Sequence, residues 1–252
     1  MKNYASDAAK YYDLIHSKKD YESEASFLSS VFLNETSGLQ TKILDVGCGT
    51  GNHSVLLAQQ NPDKTFFGID ISGDMIDIAK SKSKDISNLS FHNIDLSKFG
   101  QDKFNAAICM FYVINHILSL EGLISFFSAV KDKLAPDSVF VFDCWNGIAA
   151  IQDPPVANTR TRYQDSKMVL RTECYPEIDF FDSSVVMKNK IEIRGSSGEY
   201  YSYREELQHV IWSPKAIKDS LIMSGFSQVD SFKPYGFKKC TTDDFKMVFV
   251  CK

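Results

Sequence analysis

A glycine-rich turn between two carboxylates is the segment of this 252-residue chain whose residue types best suit ligand binding. Asp45 ends a short apolar run, and Gly47, Gly49 and Gly51 alternate through the turn that follows it. Glycine allows the backbone to turn sharply and lets a ligand approach closely. Asp70 ends the next apolar run, nineteen residues after Gly51, where a carboxylate can accept hydrogen bonds from both hydroxyls of a ribose. The pattern predicts a nucleoside-containing ligand at the carboxyl-terminal edge of a parallel sheet.

Two classes of cofactor compete for this turn, and its spacing separates them. A dinucleotide fingerprint reads G-x-G-x-x-G, whereas this turn reads G-x-G-x-G and has Asn52 where the third glycine would stand. Asp45 would also repel a pyrophosphate, but it would attract the ammonium group of a methionine moiety. The sequence therefore favours S-adenosylmethionine, with a dinucleotide or a purely structural turn as the alternatives.

One histidine lies where a methyl acceptor would need a base. An amine or hydroxyl must lose a proton before or during methyl transfer, and a positioned base assists that loss. His116 follows the apolar run that ends at Met110, and histidine titrates near neutrality. We expect His116 to be the catalytic base, with a wall-filling histidine at a helix start as the alternative. His53 is expected to be a surface or helix-start residue. The remaining histidines have no supporting context: His16, His92 and His209.

These residues can form one site only in a fold that brings the ends of successive strands to the same edge of a sheet. Up to Trp145, apolar strand-like runs alternate with helical patterns, which predicts an α/β fold with a doubly wound, mostly parallel sheet. The clearest helix has Leu123, Phe127 and Val130 on one face and ends before Pro136. We expect seven strands in the sheet, at 43–46, 65–69, 89–91, 104–110, 139–142, 227–233 and 245–251.

The alternation breaks after Trp145. Three runs rich in Val, Ile and Tyr follow at 168–175, 184–193 and 200–211, with a hairpin signal at 195–198. No helical pattern of similar quality separates them, so we predict an antiparallel β insertion at 146–212 that serves as an acceptor lid or a subunit contact. Residues 1–145 and 213–252 are expected to form one cofactor-binding domain.

Several motifs, in order, make the chain resemble the class I S-adenosylmethionine-dependent methyltransferases, which have a Rossmann-like fold. Residues 43–51 match the first motif, and 68–71 match the ribose-binding acidic loop. The resemblance implies that Asp70 binds the ribose, that Ile71 and Met75 flank the adenine, and that Asp95 approaches the adenine amino group. The implied cofactor-binding set is Tyr12, Tyr21, Asp45, Gly47, Gly49, Gly51, Asp70, Ile71, Met75, Asp95, Leu96 and Met110.

A finer resemblance lies at the N-terminus. Residues 12–15, 19–21 and 24–25 are similar to the start of sugar N-methyltransferases that act on nucleotide-linked amino sugars. In that group an N-terminal tyrosine reaches over the cofactor, and some members have a histidine base after the fourth strand. The resemblance implies catalytic roles for Tyr12 and His116, although Tyr12 and Tyr21 packing the first helix on the sheet is the alternative.

Acceptor-binding residues are expected in the insertion. Trp145 could stack on a ring, with core filler as the alternative. Arg160, Arg162 and Arg171 could hold the diphosphate of a nucleotide sugar, with solvated surface charges as the alternative. The predicted function is methylation of a small molecule, most simply the amine of a nucleotide-linked sugar. O-methylation, or cofactor binding without transfer, are the competing functions.

Composition excludes several other classes. The net charge of −4 lacks the basic footprint of nucleic-acid binding, and the longest apolar run, 106–114, is too short to span a membrane. None of the six cysteines has CxxC spacing, so no metal site is expected. The polar segment 1–10 has no signal-peptide pattern. We therefore expect a cytoplasmic enzyme, with a homodimer as one possible assembly.

Overall fold

The computed structural model describes residues 6–35, 41–100 and 102–252 of the chain, so half of the polar segment 1–10 lies outside the described residues. The helices are α1 Ser6–Ile15, α2 Tyr21–Glu35, α3 Asn52–Gln60, α4 Gly73–Lys82, α5 Leu120–Lys133, α6 Gly147–Gln152 and α7 Pro214–Met223. The first strands are β1 Lys42–Val46, β2 Thr65–Asp70, β3 Leu89–Asn93, β4 Phe104–Cys109, β5 Leu134–Trp145 and β6 Asn158–Gln164. The others are β7 Met168–Asp179, β8 Ser184–Gly195, β9 Tyr200–Val210, β10 Val229–Phe232 and β11 Lys246–Cys251.

The main sheet has seven strands in the order β10-β11-β5-β4-β1-β2-β3. Only β11 runs against its neighbours. In register, Asp45 of β1 lies beside Gly68 of β2 and Ile108 of β4, so the carboxyl ends of the three central strands meet at one edge. The predicted fold, a doubly wound, mostly parallel seven-stranded sheet with an antiparallel β insertion, is confirmed.

Both faces of this sheet are buried, because helices cover each of them. Ile43 and Leu44 are fully buried neighbours on β1, and they belong to two different apolar clusters. Leu44 packs with residues of α5 and α7 such as Phe127, whereas Ile43 packs with residues of α2 and α3 such as Leu28. Successive side chains of a strand point to opposite faces, so these continuous apolar runs indicate a strand buried on both sides.

The insertion forms a second, antiparallel sheet in the order β6-β7-β8-β9. Helix α1 packs on one face of it, where Leu14 and Ile15 contact a cluster that includes Leu170 and Ile191. Asp13 ties the same helix to the main domain, since its carboxylate accepts hydrogen bonds from Thr50, Asn52 and Lys82 at 2.6, 2.9 and 2.9 Å. Helix α1 therefore links the insertion to the glycine turn.

Some element predictions were wrong or incomplete. Strand β6 was not predicted, because its sequence NTRTRYQ is polar throughout and lacks apolar alternation. Helix α1 was also missed, although Tyr11, Leu14 and Ile15 stand at i, i+3 and i+4. Strand β5 begins at Leu134, before Pro136 rather than after it. In the described residues, no helix combines the length and the apolarity needed to cross a bilayer.

Gly51 has a packing role that explains why this turn needs glycine. It precedes α3 with a φ of 77°, in the left-handed region that other L-residues rarely adopt. A β-carbon placed here would lie 2.4 Å from Cζ of Phe91. No side chain fits without displacing the β3 side of the core.

We expect Gly51→Ala to destabilise the fold. Overpacking typically costs about 1–3 kcal/mol and the left-handed conformation about a further 1–2 kcal/mol, so the free energy of unfolding should fall by about 2–5 kcal/mol in urea titrations. Gly100→Ala is the matched control, because a β-carbon at Gly100 meets no atom within 4 Å. Equal stability of the two variants would show that Gly51 is not constrained by packing.

Candidate active site

A cavity of about 570 Å³ opens at the carboxyl edge of the main sheet. One end is formed by the glycine turn and the ends of β1 and β2, and the other by the segment after β4 and by the insertion. All but one of the twelve predicted cofactor-binding residues line this central cavity. The exception is Gly51, which packs behind the turn against Phe91. The predicted base His116 also lines the cavity, at its far end.

Asp45 lies buried at the end of β1. Burial raises the pKa of its carboxyl group to about 6, although the nearby His53 and a 2.6 Å hydrogen bond from the Ser54 hydroxyl favour the ionised form. An ionised carboxylate held away from water gains strongly from a cationic partner. This environment suits an ammonium group such as that of methionine.

Asp70 is oriented by the backbone around it. Its two oxygens accept hydrogen bonds from the backbone N–H groups of Gly49, at 2.9 Å, and Ser72, at 2.8 Å. Each carboxylate oxygen has two acceptor positions, so one on each remains for the hydroxyls of a ribose. Burial raises the pKa of Asp70 despite these bonds. Asp95 caps the next short turn through Ser97 and lines the cavity beside Leu96.

The rings of Tyr21 and His53 lie 5.0 Å apart, between centroids, and both residues line the cavity. The Tyr21 hydroxyl is buried, and burial raises its pKa to about 12, although the Asn52 side chain opposes this by donating toward the hydroxyl oxygen. No described residue accepts the hydrogen of this hydroxyl. A buried donor without a partner is costly, and it fits a ligand carboxylate in the cavity. The unmet hydroxyl and the buried Asp45 together match the carboxylate and ammonium of an amino-acid moiety.

His53 lies in the first turn of α3, as one of its two expected placements had it, but it is buried rather than at the surface. Its Nε2 lies 2.6 Å from the Glu24 carboxylate. Glu24 also pairs with Lys19, and its pKa falls to about 2 because these partners outweigh the effect of burial. The burial of His53 depends on a residue 29 positions away, which no local pattern reveals.

A strained turn after β4 carries the far end of the cavity. Phe111 and Tyr112 have φ values of 72° and 63°, which are costly for bulky residues and typical of functional sites. The Tyr112 backbone N–H donates to the buried Asp143 carboxylate at 2.9 Å. Asn115 is fully buried; it donates to the Val210 carbonyl at 2.8 Å and accepts from the backbone N–H of Trp145 at 3.1 Å. These bonds fix a 3-10 turn over residues 113–116.

The geometry of His116 defines its protonation pattern. Its Nδ1 lies 3.0 Å from the Gln208 carbonyl oxygen. A carbonyl can only accept, so Nδ1 carries the hydrogen and Nε2 keeps a lone pair. Burial lowers the pKa of His116, although the Gln208 bond opposes this. A neutral imidazole with a free Nε2 is the form that a general base requires.

The insertion contributes other residues to the cavity than those predicted. Val186 of β8 and a run on β9 line it, namely Glu206, Leu207 and Gln208. Sequence reasoning missed all four, because only the contact between β9 and the 113–116 turn brings them there. Among the described residues that line the cavity there is no lysine or arginine.

None of the four predicted acceptor-binding residues lines the cavity. Trp145 is buried, and its ring stacks on His209. Arg160 lies opposite Thr172 in register, and Arg171 is the neighbour of Thr172, so the two arginines lie on opposite faces of the sheet. Arg160 and Arg171 therefore cannot both contact one diphosphate, whereas the sequence offered Arg160, Arg162 and Arg171 together for that role. Arg160 instead shares its face with Arg162, whose Nε bonds the Thr172 hydroxyl.

Comparisons with known proteins agree with this geometry. Residues 38–205 match a family model described as a methyltransferase domain. A protein of Geobacillus sp. (strain WCH70) named as a methyltransferase is 23% identical over 246 residues, 97% of each chain. The solved structure of a S-adenosylmethionine-dependent methyltransferase from Clostridium acetobutylicum ATCC 824 aligns with a TM-score of 0.80 at 22% identity, over 97% of this chain and 96% of that one. The sugar N-methyltransferase KedS8 from Streptoalloteichus sp ATCC 53650 aligns with a TM-score of 0.78 at 17% identity, over 100% and 93%.

The environment of Asp45 predicts opposite effects on stability and binding for Asp45→Asn. The folded pKa of about 6 lies above the ordinary value of 3.8, so stability is lost as the pH rises through 6 and the buried charge carries its full penalty at pH 7. We expect the variant to unfold at higher temperature without cofactor, a gain of roughly 1–3 kcal/mol at pH 7.

The same variant should bind S-adenosylmethionine about 10-fold or more weakly in calorimetric titrations, because a charge-assisted bond is lost. In the unmodified protein the Kd should also rise as the pH falls below 6, and the variant should lack this rise. Ser54→Ala is the control that keeps the charge. Tight, pH-independent binding by Asp45→Asn would contradict the assignment of Asp45 to the ammonium group.

Proposed function

The chain belongs to the S-adenosylmethionine-dependent methyltransferases, and from this premise we propose that it methylates the amine of a small molecule, an amino sugar carried on a nucleotide. The observation that supports an amine is the charge of the acceptor end of the cavity. Glu206 and the neutral His116 line it, and no described lining residue is a lysine or an arginine. A protonated amine is attracted to such a site, whereas an anionic acceptor is repelled.

The chemistry asks little of the chain beyond positioning and proton removal. When bound, S-adenosylmethionine supplies an electrophilic methyl group. Nε2 of His116 accepts a proton from the acceptor's ammonium, which frees the nitrogen lone pair. This lone pair would form the new N–C bond as the bond between the methyl group and the donor sulfur breaks and its electron pair returns to sulfur. Phe111, Val113 and Phe126 line the same end and keep water from the reacting groups.

Tyr12 has a proposed role above the cofactor. Helix α1 places it on the cavity wall, and its ring lies 4.6 Å from that of His16 and 6.3 Å from that of Phe111, between centroids. Asp13, the next residue, anchors the helix on the glycine turn. We infer that Tyr12 covers the methionine end and aligns it with the acceptor.

The base strength of His116 favours nitrogen over oxygen. Burial lowers the pKa of His116 below its usual 6.5, so the imidazole is a weak base. It can deprotonate an ammonium, but a sugar hydroxyl is far harder to deprotonate and would depend on a metal or a stronger base. Among the described residues, no cluster of His, Cys, Asp or Glu has a geometry that could hold a metal ion. O-methylation is therefore the weaker candidate.

The nucleotide is the finer part of the proposal. The N-terminal motif around Tyr12 and the solved sugar N-methyltransferase structure support it. No lysine or arginine is among the described residues that line the cavity, so we expect the diphosphate to lie outside it. Arg162 lies near His16 at the end of α1, and Arg160 lies near Arg162. We propose that these two guanidinium groups bind the diphosphate.

We expect His116→Asn to lower kcat about 10²- to 10⁴-fold with unchanged binding of S-adenosylmethionine. The assay transfers a labelled methyl group to a panel of amino sugars, with and without a linked nucleotide, and to their hydroxyl analogues. His92→Asn is the control, since His92 is exposed on β3. Full turnover by His116→Asn would show that His116 is not the base. Methyl transfer only to the hydroxyl analogues would show that the acceptor group is a hydroxyl and not an amine.

Glu206→Gln tests the electrostatic argument separately. Loss of the carboxylate should raise the KM for amine acceptors about 3- to 10-fold and leave kcat within twofold. The steady-state parameters should show no such change for a neutral acceptor. An unaltered KM for every amine would mean that Glu206 does not select the acceptor.

A further inference from the structure

We propose that His209 is a positioning residue for His116, held in place by Trp145. This inference rests on the proposed role of His116 as the base. His209 had no supporting context in the sequence, and for Trp145 stacking on an acceptor ring and filling the core were the two alternatives.

The three rings are in direct contact. The ring of His209 lies 4.8 Å from that of Trp145, between centroids, and the two planes are within 7° of parallel. The His209 ring also lies 4.3 Å from the His116 ring, between centroids, at an angle of 43°. His209 therefore contacts both the proposed base and Trp145 at the end of β5.

The foundation of this stack is rigid. Trp145 is buried among Phe245, Ala150 and Val185, and its backbone N–H is bound to Asn115, the neighbour of His116. Nδ1 of His209 lies 3.1 Å from the Leu207 carbonyl, which fixes the plane of its ring. A base that must stay within about 0.5 Å of its working position needs such support.

The stack also keeps water from one face of His116. His209 is itself buried, and burial together with the neighbouring His116 lowers its pKa to about 3, so it remains neutral when His116 takes a proton. The titratable groups nearest to His209 along these strands are Asp143 and Cys144 of β5 and Arg204, Glu205 and Glu206 of β9. Asp143 is bound to the Tyr112 backbone, and Glu205 to Asn189.

Replacing His209 should therefore move both the orientation of His116 and its titration. His209→Ala admits water and frees the ring, so kcat should fall about 10- to 100-fold, and the acid limb of the pH–kcat profile should move up by about 0.5–1 pH unit toward an ordinary histidine. His209→Phe keeps a flat ring against Trp145 and should retain most of kcat and the original acid limb.

The pKa of His116 can be followed without turnover, by NMR titration of its imidazole signals in the protein without cofactor or acceptor. An upward shift in His209→Ala and none in His209→Phe would support the positioning role, even if the acceptor proposal failed. His209→Leu, which fills the space without a flat ring, should lose kcat at an unchanged melting temperature if His209→Ala does not fold. An unmoved His116 titration and full kcat in folded His209→Ala or His209→Leu would overturn the inference.

Discussion

Asn115 makes the contact on which the site depends, because its side chain joins the two sheets. It donates to the end of β9 and accepts from the end of β5, with no exposure to solvent. A buried amide that loses its hydrogen bonds is costly. The two hydrogen bonds of Asn115 therefore hold the ends of β5 and β9 together in the folded protein. The Trp212 indole adds a second bond, to the Ile114 carbonyl at 3.3 Å. The Gln208 carbonyl that sets the tautomer of His116 is thereby held two residues from the bond to Val210.

At the cofactor end of the cavity, buried charged groups favour ligand binding and lower the stability of the fold. Asp45 and Asp70 are carboxylates with raised pKa values because the fold buries them at the sheet edge. A fold optimised only for stability would place neutral residues there. The Tyr21 hydroxyl belongs to the same pattern, since no described residue accepts its hydrogen. We propose that these groups form a surface complementary to a charged ligand, and that ligand binding offsets the free energy of burying them.

Local patterns in the sequence were sufficient for the parallel sheet and the glycine turn. Strand β1 and its acidic residue Asp45 depend on neighbours within the same short segment, as do Asp70 and the cap of α4 at Ser72. The site residues and contacts that could not be predicted arise where segments far apart in the sequence pack together. Glu206 reaches the cavity only because β9 packs on the 113–116 turn, and Asp13 meets Lys82 across 69 positions. The faces of Arg160 and Arg171 depend on strand register, and β6 itself lacked the apolar alternation that would have revealed it.

We propose that the methyl group of the bound donor lies beside His116, which lines the cavity, and not beside Trp145, which is buried outside it. The most direct measurement is isotope-filtered NMR of the protein bound to S-adenosylmethionine that carries a ¹³C-labelled methyl group. The account predicts nuclear Overhauser effects from this methyl group to the ring protons of His116 and Tyr12, and none to those of Trp145. Contacts confined to Tyr21 and His53, with none to His116, would contradict it.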